Sequence, residues 1–337
     1  MLEPMHVPLL LGVIVITALI FDFINGFHDT ANAIATVVAT RVLSPMAAII
    51  MSAVLNFAGA LALSKVATTI AKGILVGHAA THIVIFAAVI GAIVWNLITW
   101  WKGIPSSSSH ALIGGLIGAG FAAGGSSVVK WHGIVDKVIV PMVSSPIIGG
   151  VIAFGLMTAI FFVLNKAASR TVAQFFRPMQ MLSAAAMSYS HGSGDAQKSM
   201  GIITLALVSF HKLPNADHVP VWVKLACAIA MALGTATGGY RIMRTMGQRI
   251  TRLEPVHGFV AETAASAVIL FASVRGLPVS TTHVISGSIF GVGLAKRTTD
   301  LRWTTAQRMV AAWVLTLPAA AACSGIAEIG FRAMHLR

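Results

Sequence analysis

Long apolar runs alternate with short polar interruptions along the whole chain. As helices, runs of about 20 apolar residues match the hydrocarbon thickness of a bilayer. They predict spans near residues 7–24, 45–64, 81–101, 138–164, 179–193, 196–210, 219–239, 257–274 and 304–331. Residues 30–43 read as a further half-span after a break, and shorter apolar pieces lie at 107–123 and 281–295. The first run is expected to be retained, because Met1 to His6 has no Lys or Arg and no small-residue cleavage pattern follows.

The pattern occurs twice. Ile104-Pro105-Ser106-Ser107-Ser108-Ser109-His110 is echoed by Leu277-Pro278-Val279-Ser280-Thr281-Thr282-His283, at a constant offset of 173 (105 to 278), and three glycines follow each copy. Upstream, Asn25-Gly26-Phe27-His28-Asp29-Thr30-Ala31-Asn32 stands opposite His191-Gly192-Ser193-Gly194-Asp195-Ala196-Gln197-Lys198. The closing spans also correspond, with Ser144-Ser145-Pro146 against Thr316-Leu317-Pro318. Duplicated halves in an apolar chain are the mark of a secondary transporter. The expected organisation is a first repeat over 1–165, a basic linker over 166–177 and a second repeat over 178–337. The fold expected is an all-α polytopic bundle of two inverted repeats, with broken helices and half-helix hairpins.

Composition strengthens the membrane reading. Charged residues make up 10% of the chain, against about 25% in ordinary soluble proteins. Mean hydropathy is +0.86. The net charge of +13 comes mainly from residues between spans: Lys166, Arg170 and Arg177; Arg241, Arg244, Arg249 and Arg252; Lys296, Arg297, Arg302 and Arg308. Cytoplasmic loops have this character, so nucleic acid is not an expected partner. Cys227 and Cys323 each sit in an apolar span and offer neither a metal spacing nor a disulfide framework.

The polar breaks carry the chemistry. Asp22, Asn25, His28, Asp29 and Asn32 fall where the chain should cross the bilayer. An ionisable group at the bilayer centre costs at least ~2.5–3.5 kcal/mol, so these residues must face protein or a water-filled cavity. Gly26 offers freedom for the helix to unwind there. Asp195 aligns with Asp29, and Lys198 with Asn32. Carboxylate and amide oxygens suit Na⁺ or carry a proton. Lys198 reads either as a point charge for an anion or as a lysine snorkelling to an interface.

Pro105 and Pro278 each start a helix. Ser106 to Ser109 and Ser280 to Thr282 then lie at helix N-termini, where free N–H groups and the dipole favour anions. Ordinary capping needs one hydroxyl, not four and three. His110 and His283 match in place and suit either helix packing or a proton or phosphate contact. Glu262 and Asn56 are lone polar intrusions in apolar runs. Trp95, Trp100, Trp101, Trp222, Trp303 and Trp313 read as interface anchors.

These motifs resemble the duplicated signatures of the PiT inorganic phosphate transporters, and the likeness extends to Arg241-Ile242-Met243-Arg244-Thr245-Met246-Gly247 and Gly258-Phe259-Val260-Ala261-Glu262-Thr263. The resemblance implies inverted repeats, two half-helix elements, a phosphate site near the midplane, and symport driven by H⁺ or Na⁺. Many members carry Gly-Ala-Asn-Asp at both breaks. Here Gly-Phe-His-Asp and Gly-Ser-Gly-Asp stand instead, and Lys198 replaces an amide. Those departures favour H⁺ and are similar to the bacterial branch, thought to carry metal-phosphate complexes. The expected substrate residues are Ser107, Ser108, Ser109, Ser280, Thr281, Thr282, Asn32, Gln197 and Lys198. The expected cation-coupling residues are Asp29, Asp195, Asn25 and Glu262. No cofactor and no enzymatic activity are expected. The implied partners are inorganic phosphate, the coupling H⁺ or Na⁺ and the lipid of the inner (plasma) membrane, and a homodimer stays open. A symporter for sulfate or another tetrahedral oxyanion, or an anion channel, is the alternative.

Overall fold

The computed structural model describes residues 6–166, 168–248, 250–296 and 301–334. Of the basic loop positions, Arg249 and Arg297 lie outside these residues. The described chain is helical: α1 His6–Ala39, α2 Pro45–Ala62, α3 Lys65–Gly73, α4 His82–Lys102, α5 Ser108–Gly124 and α6 Trp131–Val163, then α7 Ser169–Ser209, α8 Val221–Thr237, α9 Tyr240–Gln248, α10 Pro255–Arg275, α11 Thr281–Lys296 and α12 Trp303–Ala333. Among the described residues, six helices are long and apolar enough to cross a membrane. The chain is therefore a polytopic all-α membrane protein. Its outward faces carry Phe162, Val163, Val151, Ile147, Val314 and Ile326 exposed, while Asp22, Asp29, Asp195 and Glu262 are buried within it.

The six elements before Ser169 recur in order after it, down to single hydrogen bonds. Both α1 and α7 end in a turn whose non-glycine residue has positive φ, Arg41 at 57° and His211 at 56°. In the first turn Val42 N and Leu43 N both donate to Val37 O; in the second, Lys212 N and Leu213 N both donate to Leu207 O. Helix α4 closes on Gly103 (φ 62°) and α10 on Gly276 (φ 73°), the left-handed conformation that glycine adopts without penalty. Two residues on, Pro105 and Pro278 lead into α5 and α11.

Packing exchanges the two sets. Helix α1 lies on α8 as α7 lies on α2; α9 lies on α1 as α3 lies on α7; α5 pairs with α12 as α11 pairs with α6. Each half therefore completes the other, and the cores mix residues from both. Residues 169–177 of the expected linker form the first turns of α7.

One expectation about the elements is overturned. The helix does not unwind at the polar breaks: α1 continues through Gly26, and α7 continues through Gly192 and Gly194. The separate spans expected at 179–193 and 196–210 are one helix, as are the run 7–24 and the half-span 30–43. Glycine serves here for close approach. A Cβ on Gly26 would lie 2.5 Å from Met231 O of α8, and one on Gly234 of α8 would lie 2.0 Å from Phe23 O of α1. Between α7 and α2, a Cβ on Gly192 would collide with Asn56 O, and one on Gly59 with Tyr189 O. A continuous helix satisfies its own backbone at membrane depth. A glycine inside it costs only about 1 kcal/mol relative to alanine, which close packing with the facing helix offsets.

Candidate functional site

Helices α5 and α11 begin side by side at the centre of the bundle. Ser107 and Ser280 cap them: Ser107 Oγ accepts from His110 N at 3.2 Å, and Ser280 Oγ accepts from His283 N at 3.3 Å. One hydroxyl per helix is thus taken as a cap, and the others remain. Thr282 Oγ1 donates to Ser106 O across the repeats at 3.1 Å, and Ser109 Oγ to Val279 O at 3.5 Å. Ser108 Oγ is buried and makes no hydrogen bond to protein. The two helices measure 17 and 16 residues, about 25 Å each, short of a full crossing as expected for half-helices.

Both acidic breaks reach this meeting point from α1 and α7. Asn32 Nδ2 donates to Thr282 Oγ1 at 2.8 Å and to Thr281 Oγ1 at 3.3 Å, and its own oxygen is buried without a partner. Thr281 Oγ1 donates to Asp195 Oδ2 at 3.4 Å. Lys198 Nζ stands 2.5 Å from Asp195 Oδ1, and its side chain is 1% exposed. The snorkelling alternative for Lys198 is therefore excluded: the ammonium lies inside the bundle, neutralised by the carboxylate one turn away.

Two histidines orient the acids. His28 Nδ1 lies 2.7 Å from Asp29 Oδ1; an ionised carboxylate only accepts, so Nδ1 carries the proton. His28 Nε2 then faces Thr99 Oγ1 at 3.1 Å, and Ser106 Oγ donates to the same hydroxyl at 2.8 Å. His191 Nδ1 faces Asn56 Oδ1 at 3.0 Å. The Asn56 amide is oriented by its Nδ2, which donates to Thr235 and Ser52, so Nδ1 of His191 is again the donor. Nε2 of His191 is left 3.4 Å from Asp195 Oδ2. A lone pair and a carboxylate oxygen at that separation repel unless a proton or a cation lies between them. Asp29, His191 and Asp195 present ligand atoms within 4.8 Å of one another, all buried. Asp22, on α1, is fully buried beside Ser199 and Cys227, within electrostatic reach of Asp195 and Lys198.

The expected site residues thus fall into three groups. Asp29, Asp195, Asn32, Lys198 and the Ser107–Ser109 and Ser280–Thr282 starts converge. Asn25 is buried with both amide atoms unpartnered. Gln197 and Glu262 have other partners. Gln197 Oε1 accepts from Val66 N at 2.8 Å and Ala67 N at 3.4 Å, capping α3, while its Nε2 donates to Ser193 O. Glu262 accepts from Thr36, Ser183 and Gln180 in a separate buried cluster, where Thr36 lies one turn beyond Asn32 on α1. Of the tryptophans, Trp101, Trp303 and Trp222 are exposed as anchors are, but Trp313 stacks on His283 with centroids 4.2 Å apart. His283 in turn lies 4.8 Å from His110. Sequence reasoning missed Thr99, a lone hydroxyl in the last turn of an apolar helix that has no motif around it.

The chain is similar to known proteins over most of its length. A model of the family described as "Phosphate transporter family" matches residues 25–170 and 163–324. The chain belongs to this family. It is 48% identical over 316 residues to a Bacillus subtilis protein named "Probable low-affinity inorganic phosphate transporter", covering 93% of this chain and 95% of that one. A Rhizobium meliloti protein of the same name is 48% identical over 320 residues, covering 95% of each. A solved structure described as "The sodium-dependent phosphate transporter" superposes with a TM-score of 0.88 at 26% identity, covering 96% of this chain and 99% of that one. The membership makes this a transporter rather than an enzyme, a multi-pass protein of the inner (plasma) membrane.

Proposed function

We propose that the chain is a symporter that carries inorganic phosphate into the cell, with H⁺ as the coupling ion. The observation that carries this reading is the convergence of both Pro-Ser/Thr helix starts with Asp29, Asp195 and Lys198 in one buried cluster. Ser108, Ser109, Thr281 and Thr282, with the free N–H groups of α5 and α11, hold the anion; Asn32 bridges the two threonines and offers its oxygen. Ser107 and Ser280 hold the two starts in shape as caps, and Asn25 is a neutral polar neighbour of the coupling acids. Gln197 acts by fixing α3 against α7, and Glu262 by joining α1, α7 and α10.

Charge explains why transport is coupled. Asp22, Asp29 and Asp195 face a single ammonium, that of Lys198. A phosphate dianion entering such a buried, acid-rich site meets net repulsion unless cations accompany it. Protons on the carboxylates, or on Nε2 of His191, supply them. The ammonium already occupies the position beside Asp195 where a metal ion would neutralise the second repeat's acid, which supports H⁺ over Na⁺. The structural relative's name refers to sodium, so the coupling ion is the point to test. The exchange of packing partners between halves supports inverted repeats rocking about this centre.

A second reading is favoured by the Asp29–His191–Asp195 grouping: phosphate travels as a neutral complex with a divalent metal, the metal being cargo held by these three groups. Radiolabelled phosphate uptake into proteoliposomes, with Na⁺ and pH gradients imposed separately and with Mg²⁺ present or chelated, tests both. Uptake driven by the pH gradient alone supports H⁺ symport, and uptake abolished by chelation supports the metal complex. Strict dependence on Na⁺ overturns the H⁺ assignment.

A further inference from the structure

A pocket of about 710 Å³ opens between the C-terminal end of α4, Thr245 of α9 and the first turns of α12. Its wall includes Thr99 and Pro105. Thr99 Oγ1 is the hydroxyl that accepts from Ser106 and faces His28, so the inner wall of this pocket is the outer wall of the candidate site. Among the described residues two cations, Lys102 and Arg308, line it, both exposed, and no acid does.

A larger cavity of about 910 Å³ does not share these features. It is bounded by Leu75, Leu205 and Val208, and it touches none of the residues of the central cluster. Two of its three lysines are engaged: Lys72 pairs with Asp217, whose carboxyl is held below the usual range by that hydrogen bond, and Lys130 Nζ donates to Lys72 O at 2.8 Å. At the position that duplicates Gly103, the second repeat is filled. Beside Gly276 the Lys65 side chain, its carbonyl oxygen and Thr69 Oγ1 lie 3.3 Å from where a Cβ would stand. The bundle is therefore open towards Thr99 and packed at the duplicated place, the asymmetry that access from one side at a time requires.

We propose that this pocket is the aqueous vestibule connecting the Ser/Thr cluster to one face of the membrane, and that Lys102 and Arg308 form an outer subsite collecting tetrahedral oxyanions. A cleft of one charge sign with apolar walls raises the local concentration of counter-ions. Trp95, Ile98, Met309 and Leu315 furnish such walls. From there an anion passes Thr99 and Ser106 to reach Ser108 and Thr281. This inference rests on the phosphate-symport reading.

The test uses the full chain in proteoliposomes. Thr245 and Arg308 belong to the basic segments read as cytoplasmic, so phosphate is presented at that face and its initial movement from there is followed. Lys102→Gln and Arg308→Gln are each expected to raise the phosphate concentration for half-maximal transport about three- to tenfold, with the maximal rate little changed, as loss of a partly solvated charge predicts. The difference should shrink at high ionic strength, since a Debye length of about 8 Å at 0.15 M screens exposed charges. Lys130→Gln, in the larger cavity, should leave half-saturation unchanged. In a Cys323→Ser background, Thr305→Cys should transport normally until a membrane-impermeant sulfonated thiol reagent is added, and phosphate should slow the block. Unchanged half-saturation in both charge variants overturns the outer subsite. Full labelling of T305C with intact uptake overturns the vestibule. Absence of phosphate uptake by the unmodified protein overturns the symport reading itself, and is distinguished from these by the wild-type control.

Discussion

Asp195 sits between Lys198, His191 and Thr281, and that crowding sets what each substitution should do. Asp29→Asn keeps the shape of the His28 contact but removes a charge, and uptake should fall to background while the protein still inserts and purifies as a single species. Asp195→Asn should do the same and also lose stability, since it strands the Lys198 ammonium; breaking a buried pair costs about 3–5 kcal/mol. Coupled uptake at the normal rate by Asp29→Asn would remove that acid from the mechanism. The serines separate capping from binding. Ser107→Ala loses an N-cap worth about 1 kcal/mol and should lower the melting temperature. Ser108 Oγ makes no hydrogen bond to protein, so Ser108→Ala should melt normally. It should weaken phosphate binding by roughly 1.5–3 kcal/mol, about ten- to a hundredfold. A lower melting temperature with unchanged half-saturation in Ser108→Ala would make that serine structural.

At the scale of helices, the doubled glycine contacts decide how closely α1 meets α8 and α7 meets α2. Gly26→Val places a branched side chain against Met231 O and the Gly234–Thr235 backbone, where overpacking costs about 1–3 kcal/mol or more. Thermal unfolding in detergent should drop by several degrees or the protein should aggregate. Gly12 on the same helix has nothing within 4 Å of an added Cβ, so Gly12→Val serves as the matched control. Equal melting of both variants would contradict the close-approach account and return Gly26 to a role in helix opening. The continuous α1 and α7 also alter how the site is imagined. The Pro105 and Pro278 turns interrupt the backbone ladder, and the acidic stretches of α1 and α7 do not.

For the whole molecule the question is which cation accompanies phosphate. Lys198 places one fixed positive charge in the second repeat, and Asn32 leaves the first neutral, so the duplicated site is electrically asymmetric. Initial uptake is expected to follow an inward proton gradient and to survive replacement of Na⁺ by choline. Lys198→Asn should lower uptake and give the remaining activity a response to Na⁺, because Asp195, Thr281 and the amide then form a set of oxygens without a resident cation. Loss of wild-type uptake in choline would end this account.

Much of the protein was legible in the order of residues. Apolar run lengths disclosed a membrane bundle because bilayer thickness imposes them, and the repeat of Pro, hydroxyls and His disclosed two helix starts because both halves obey the same local rules of capping and turn. Asp29 and Asp195 stood out because charge in an apolar run is too costly without purpose. Other features depended on partners distant in sequence. Nothing local to Gly26 distinguishes a hinge from a contact surface; Met231 and Gly234, over 200 residues away, decide it. Lys198 could reach an interface or a core, and only the packing of α7 inside the bundle selected the core. Gln197 reads as a ligand in the sequence, and only the fold shows that the N–H groups of Val66 and Ala67 are its partners; Thr99 reads as one hydroxyl among many, and only the fold brings His28 and Ser106 to it. Local sequence specifies backbone preference and charge, while the identity of each polar group's partner is a property of how the two halves exchange their helices.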